Sequence, residues 1–441
     1  MTQRHETLPP ACDVLVIGGG PAGSSVATLL ARDGIDVLLL DKVKHPRPQV
    51  GESLIPHFWR YADMTGVSPK LEAEGFLAKA GGISVWDGKI HHISFADFGF
   101  TRPALHVERD IFDDILLRHA EENGARVIEE VSVKRVDFTN PAHPVAQVVD
   151  KRGREVCENR VRCRIVVDAS GHSSILASQL KTRRMISSKL KFLSLWGYFE
   201  NARYVGSDGS GHSPDELDRV KPVTFVLSFA EGWVWHIPLR HQTSVGLVIN
   251  TERTKGMNRA GREGFFLETC FSMPHLKDLL EPAIYQENSL SFRPDYSYYS
   301  TSLCGENYYC IGDAAAFVDP IYSHGVLNAF YNAAVASLAI REALKDPPRR
   351  LRYGKLCENR MQQFYGFSRS LALGDFGGDG VNPDLVKSFM RSVPTRELEL
   401  MLAASHITSR SDNFRCLAKE AGLTESMIAM SKAKVIDRLA L

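Results

Sequence analysis

No run of about 18 consecutive apolar residues occurs along the 441-residue chain, so no ordinary membrane-spanning helix is expected. No sign of charge dominates: 53 Lys and Arg face 52 Asp and Glu, a formal net charge of +1. That balance gives no electrostatic case for binding nucleic acid or an anionic membrane. The eight cysteines (Cys12, Cys157, Cys163, Cys270, Cys304, Cys310, Cys357 and Cys416) contain no C-x-x-C pair. Two pairs lie six apart, Cys157/Cys163 and Cys304/Cys310, without a histidine at metal-ligand spacing beside them. No metal site is expected, and all eight read as reduced thiols of a cytoplasmic protein. The polar stretch at 1–10 lacks the apolar core of a secretory signal, so no leader is expected. No internal repeat is visible.

What is present is an ordinary globular composition, 44% hydrophobic and 24% charged, in a chain long enough for two or three packed units. Residues 12–17 (CDVLVI) form a short β-branched run that reads as a buried parallel strand. It enters the cluster Gly18-Gly19-Gly20. Residues 21–33 then carry helical periodicity, with Pro21 in the first turn, where its missing N–H costs nothing. Gly34 breaks the helix, and 35–41 (IDVLLLD) is a second buried strand. Within this βαβ unit, Gly18-x-Gly20-x-x-Gly23 has the spacing of a dinucleotide fingerprint. Gly18 permits the tight turn, Gly20 lets the backbone approach a pyrophosphate, and Gly23 lets the helix pack on the strand. The helix N-terminus, with Ala22 in its first turn, offers free N–H groups and a positive dipole end to phosphates. Asp41 follows Gly23 by 18 residues and ends the second strand, where an acid can hold ribose hydroxyls. Strand, helix, second strand and acid together outweigh a glycine-rich turn of no consequence.

Further along, 111–122 reads as an amphipathic helix, 125–128 and 164–169 as strands, and 222–250 as a three-stranded antiparallel meander with short polar turns. Residues 206–215 read as a flexible insertion. A strand at 308–313 precedes a loop at 317–324 and a long apolar helix at about 326–345. From 346 to 441 the segments read as amphipathic helices, interrupted at the glycine-rich 374–380 and at Pro383 and Pro394. The expected fold is α/β, with three parts. A Rossmann-type nucleotide-binding domain is assembled from 1–70, 105–183 and 300–345. An inserted antiparallel-sheet substrate domain comprises 71–104 and 184–299. A helical C-terminal region spans 346–441.

Several segments separate one dinucleotide from another. Residues 50–54 read VGESL, Arg109 sits in HVERDIFDD, residues 168–171 read DASG, and Gly312-Asp313 follows a strand. Residues 233–238 read Trp-Val-Trp-His-Ile-Pro, so Trp233 and Trp235 share one face of a strand. An ordinary aromatic core face would look the same. Residues 317–325 read Phe-Val-Asp-Pro-Ile-Tyr-Ser-His-Gly, and Lys79 lies in FLAKAG at 76–81. In this order the segments resemble the FAD-dependent monooxygenases and flavin-dependent halogenases. The resemblance implies an FAD cofactor contacted by Glu52, Ser53 and Arg109, with Asp313 on the ribityl chain. By itself Arg109 reads better as a surface residue at a helix start. The hexapeptide matches the W-x-W-x-I-P signature of the halogenases, where the aromatic wall stands between flavin and substrate. The 317–325 turn resembles their F-x-x-P-x-x-S-x-G loop. This puts Pro320 and Gly325 against the flavin, and Ser323 and His324 beside the reacting groups. Many halogenases carry a small residue where this chain has His324. Lys79 resembles the lysine that steers hypohalous acid; on residue type alone it reads as a solvated lysine covering apolar surface.

The resemblance implies dioxygen activation by reduced FAD, through the flavin C4a-hydroperoxide, and an electron-rich aromatic substrate. No second G-x-G-x-x-G unit is present for a nicotinamide nucleotide, so a separate flavin reductase or electron donor is the expected partner. A bulky His324 in the halide loop favours hydroxylation of an indole-type ring. That ring could be a tryptophan carried by a peptide, protein or carrier, as in relatives that mature tryptophan-derived quinones. The alternative is halogenation of an indole, pyrrole or phenol, with Lys79 delivering the halogen. A flavin-dependent reductase and a non-catalytic flavin-binding protein are two further readings.

Overall fold

The apolar run Val14–Ile17 forms the central strand of a five-stranded parallel sheet in the computed structural model of the protein. Val37–Leu40 and Ile165–Asp168 flank it. Arg126–Ile128 and Tyr308–Cys310 are the edges. Residues 7–153, 156–186, 192–294, 296–373, 382–406, 419 and 433–441 are described. The stretch at 374–380, Cys416 and nearly all of 407–432 fall outside them. All four residues of the central strand are at most 3% exposed, as a strand covered on both faces requires. The helix Pro21–Arg32 covers one face. The long helix Gly325–Lys345 packs against it through Ala329, Ala333 and Ala336, small residues that permit close approach.

A second sheet of nine strands carries the expected meander, Val223–Phe229, Gly232–Pro238 and Thr243–Asn250, with Phe192–Glu200 beyond it. The hairpin Gly81–Trp86 and Lys89–Ser94 joins the other side, its first strand pairing in parallel with Val223–Phe229. The last strand comes from the C-terminus: Lys434–Ile436 pairs with Lys89–Ser94. The expectation of helix from 346 to 441 therefore holds for Arg350–Leu373, Pro383–Ser392 and Thr395–His406 but not for this terminal segment. An unpaired sheet edge recruited a three-residue strand too short to show a period in the sequence. Residues 204–205 and 211–212 pair as a small hairpin, so the expected flexible insertion carries its own backbone bonds. A three-stranded antiparallel sheet, Val131–Asp137, Val145–Asp150 and Cys157–Arg162, was not read from the sequence at all. No helix among the described residues is long and apolar enough to cross a membrane.

The first helix can meet the sheet because of two glycines. A Cβ on Gly23 would lie 1.8 Å from the Gly18 carbonyl oxygen, and one on Gly18, at φ +103°, 2.6 Å from the Ala169 carbonyl oxygen. Both obstacles are backbone and cannot swing aside. Gly23→Ala is expected to lower stability by about 1–3 kcal/mol through forced separation of helix and sheet. Urea unfolding reads this directly, and an unchanged midpoint would contradict the packing argument.

Candidate active site

A cavity of about 420 Å³ opens at the carboxyl ends of the parallel strands, the usual ligand position in such sheets. Gly18, Gly20 and Ala22 line it; Gly23 instead forms the helix–sheet contact. Asp41 lines it too, but both carboxylate oxygens already accept backbone N–H groups. Gly19 donates to one at 2.6 Å and Val43 to the other at 2.9 Å. Asp41 therefore sets the shape of both loops and keeps its remaining lone pairs for a ligand. Arg47 adds a cation at the helix N-terminus, its guanidinium 3.5 Å from the position of a Gly20 Cβ. It lies in a loop without a regular period, and nothing in the sequence marked it.

Arg109 is buried, not a surface helix-start residue. It grips Asp113, one helical turn on, through Nε at 2.9 Å and Nη2 at 3.1 Å. Its Nη1 donates to the Val50 carbonyl at 2.8 Å. It thus braces the 50–51 loop from beneath while lining the cavity. Glu52 is buried as well; Tyr198 donates to its Oε1 at 2.9 Å and the Gly51 N–H to its Oε2 at 3.2 Å. Desolvation raises its pKa against those bonds. Asp313 follows the edge strand in a turn pinned by Asn332, whose Oδ1 accepts from Gly312 N–H at 3.1 Å. Burial pushes Asp313 up to about 6, with Arg109 and Arg293 pulling the other way.

Trp233 and Trp235 share one strand face, ring centroids 5.8 Å apart, and both line the same cavity. Trp235 lies across Gly246 on the next strand, where a Cβ would come within 2.1 Å of its ring, and donates Nε1–H to Ser244 Oγ at 3.2 Å. Trp196 extends the wall from a third strand and was not singled out in the sequence. Pro320, Ser323 and Gly325 form the facing wall.

Behind that wall lies a second cavity of about 70 Å³, lined among others by Lys79, His57 and His324. Four residues, Thr224, Val226, Ile321 and Ser323, line both cavities and form the partition. Ser53 anchors it. Lys79 Nζ donates to Ser53 Oγ at 2.8 Å and to the Leu54 carbonyl at 3.0 Å, and Ser323 Oγ donates to Ser53 Oγ at 3.0 Å. Those two donors fill the lone pairs of Ser53, so its single proton must go to Thr224 Oγ1, 2.8 Å away. The Thr224 proton then goes to His106 Nε2 at 2.9 Å. That bond fixes a neutral His106 protonated on Nδ1; burial first and the Lys79 charge second hold its pKa far below the usual value. Lys79 itself is 4% exposed, its ammonium 5.3 Å from the centroid of the Phe95 ring, and burial lowers its pKa to about 7. His324 lines the second cavity but not the first.

The first cavity suits FAD by its donor set. A glycine turn and Arg47 meet a pyrophosphate, Asp41 and Asp313 present carboxylates to ribose and polyol hydroxyls, and the tryptophans offer an apolar wall to a flat ring. Comparison with known proteins agrees. The tryptophan halogenase family model matches residues 13–102 and 96–370. A tryptophan 2-halogenase of Chondromyces crocatus is 34% identical over 339 residues, which cover 76% of this chain and 62% of that one. A 1H-pyrrole-2-carbonyl-[peptidyl-carrier protein] chlorinase of Pseudomonas fluorescens is 33% identical, covering 76% of both. Among solved structures, the myxobacterial chondrochloren halogenase CndH, described as a variant of FAD-dependent halogenases, superposes with a TM-score of 0.75 at 29% identity over 96% of each chain. The chain thus spans just under two-thirds of its first curated relative. With a Rossmann-type sheet, an FAD cradle and a family match over most of its length, the chain belongs to the tryptophan halogenase family of FAD-dependent oxidoreductases.

Proposed function

We propose that the protein is a flavin-dependent halogenase of an electron-rich aromatic ring. The observation that carries this reading is the partition: the Lys79 ammonium stands in one cavity and the FAD cradle in another, with hydroxyl-bearing Ser53, Thr224 and Ser323 between them. Direct hydroxylation needs the ring carbon within about 3–3.5 Å of the oxygen it attacks. A layer of side chains opposes that approach, whereas a triatomic hypohalous acid can pass it. The preference for hydroxylation drawn from the sequence rested on His324 crowding the halide turn. Because that imidazole lines the second cavity, the objection loses its force. A tryptophan 2-halogenase, a flavin-dependent halogenase of Armillaria mellea and a pyrrolyl-carrier-protein chlorinase, each 33–34% identical, support the same side.

Bound and reduced, FAD supplies the electrons that make dioxygen an electrophilic oxygen donor. The roles proposed for this chain's residues follow from their positions. Gly18, Gly20, Ala22, Arg47, Asp41 and Asp313 hold the cofactor, with Glu52 and Arg109 bracing the loop over it. Trp233 and Trp235 exclude water. Ser323 and Gly325, at the start of the 21-residue helix Gly325–Lys345, offer a positive dipole end to a halide. Lys79 holds a proton against the hypohalous oxygen. As the ring carbon forms its bond to halogen, that oxygen takes the proton and leaves as water; the neutral amine then recovers a proton from the ring carbon. Indole, pyrrole and phenol rings, free or carrier-bound, all meet the electronic requirement. The electrons come from a separate flavin reductase.

Lys79→Met is expected to reduce halogenation by about 10²-fold or more while dioxygen consumption continues. Mass spectrometry of bromide-supplied reactions against oxygen uptake separates the two; halogenation within tenfold of the parent protein, or product mass gained only as oxygen, would overturn the reading. In the parent protein, halogen transfer should decline above about pH 7 as Lys79 loses its proton.

The same burial has a stability signature. The unfolded lysine holds its proton up to about 10.5 and the folded one only to about 7, so between those values the unfolded state binds more protons. Stability therefore rises with pH across that window and is lowest below it, by roughly 5 kcal/mol at most. The unfolding free energy of Lys79→Met relative to the parent should be most favourable below pH 7 and fall towards pH 10. A pH-independent difference would show that the ammonium is not desolvated.

A further inference from the structure

The second cavity is apolar on most of its surface, with Ile83, Ile93, Phe95, Leu400 and Met401 forming its walls. Its polar residues fall into two groups. Lys79, Thr224 and Ser323 are committed to the partition described above. His57 and Ser84 are not. Both ring nitrogens of His57 and the hydroxyl of Ser84 are buried without a hydrogen-bond partner among the described residues. His57 is 4% exposed, Ser84 0% and His324 9%. The His324 ring packs against Tyr322 and Phe364. A buried polar group without a partner is a standing loss of free energy. An unpartnered His57 beside His324 in one small cavity points to a ligand that can hydrogen-bond both rings.

The chemistry of the two imidazoles narrows that ligand. Desolvation lowers His57 to about 3 and His324 to about 4, so both are neutral at ordinary pH. A neutral imidazole carries one N–H donor and one acceptor nitrogen. One histidine can therefore accept while the other donates. A hydroxyl, a donor with two acceptor lone pairs, satisfies both; the N–H of a pyrrole or indole can only donate. Size selects further. About 70 Å³ is below the roughly 150 Å³ that an engineered apolar cavity offers to benzene. One ring already requires some yielding of the walls, which the flexible Met401 side chain can provide, and a fused bicyclic ring requires far more.

We propose that His57 and His324 form the hydroxyl-binding end of a subsite for a monocyclic phenol, one accepting the phenolic proton and the other donating to the phenolic oxygen. The subsite deepens, and rests on, the halogenase reading of the same cavity. The histidines are too weakly basic to remove the phenolic proton, so they orient the ring and polarise its O–H bond. The hydroxyl is held at the histidine end, and the ring carbons activated by it face Lys79 across a cavity that all three residues line.

The test is equilibrium binding to the full-length, FAD-loaded, oxidised protein by calorimetry, with phenol, anisole, toluene, pyrrole and indole as probes. Phenol should bind about tenfold or more tighter than toluene and anisole, because a site built around a hydroxyl discriminates against analogues without its donor. His57→Leu and His324→Leu should each bring phenol to within about threefold of toluene, with FAD content unchanged and the unfolding midpoint unchanged or raised. Equal binding of phenol and toluene to the parent protein overturns the subsite even where a variant fails to fold. So does indole or pyrrole binding more tightly than phenol, or an undiminished phenol preference in both variants. Bromination of the same probes is read separately. Phenol bound through the histidines but never brominated leaves the subsite standing and removes the halogenase reading. Indole brominated without dependence on His57 or His324 does the reverse.

Discussion

The structure is organised around one costly arrangement: an ammonium group taken out of water with no carboxylate paired to it among the described residues. Among the described residues Lys79 donates to a serine hydroxyl and a backbone carbonyl, and burial lowers its pKa. The partners come from separate stretches of sequence. Lys79 ends a short strand, Leu77–Lys79, paired with Ala104–His106. Ser53 and Leu54 come from the loop after the second parallel strand, Thr224 from the nine-stranded sheet, and Ser323 from the turn before the long helix. Burying the ammonium therefore requires the parallel sheet, the second sheet and the long helix to be in register. The bond directions leave one solution, from Lys79 and Ser323 into Ser53, then to Thr224 and on to His106. A chain of this kind ties its members to one arrangement of donors and acceptors from Lys79 as far as His106 Nε2.

The division into two cavities follows from that chain. Ser53 holds one of the two Lys79 hydrogen bonds, and Thr224 and Ser323 hold Ser53, so displacing any of the three weakens the seat of the ammonium. On the FAD side the polar side chains are also largely committed before any ligand arrives. Arg109 holds Asp113 and the 50–51 loop, Glu52 holds Tyr198, and Asp41 holds two backbone N–H groups. Such a cradle binds by preorganisation and pays little to order side chains when its ligand arrives. On the other side the opposite holds. The ring of His57 has no hydrogen-bond partner among the described residues and the cavity is small, so that side is completed by what enters it.

Which parts of this were legible in the sequence depended on the range of the interaction. Val14–Ile17, Pro21–Arg32 and Val37–Leu40 follow from local period and from a glycine spacing whose steric meaning is local. Trp233 and Trp235 share a face because a strand repeats every two residues. Lys79 was different. By residue type it read as a solvated lysine, and only its resemblance to a family motif raised it above that; what buries it lies about 25 and more than 140 residues away in sequence. His57, Thr224, His106 and Arg47 gave no signal, since a buried histidine or threonine carries no period of its own. The sheet over 131–162 was missed because its strands alternate charged and apolar residues irregularly, with the burial of Cys157–Arg162 confined to Val161. The strand at 434–436 exists only because the Lys89–Ser94 edge offers it a partner.

His324 shows how a single backbone angle redirects a chemical argument. Read along the sequence, an imidazole between Ser323 and Gly325 crowds the turn where a small residue is usual. Ser323, however, sits at φ +56°, ψ +31°, in the left-handed region that non-glycine residues enter only at a cost. That conformation lets Ser323 send its hydroxyl to Ser53 while the next residue, already helical at φ −84°, lines the opposite cavity. One turn thereby supplies a hydroxyl to the partition and an imidazole to the space behind it. The strain at Ser323 is retained because relaxing it would withdraw one of the two donors that fill the lone pairs of Ser53. The side chain that seemed to block the chemistry is placed by the same network that holds Lys79, and it faces the cavity in which Lys79 ends.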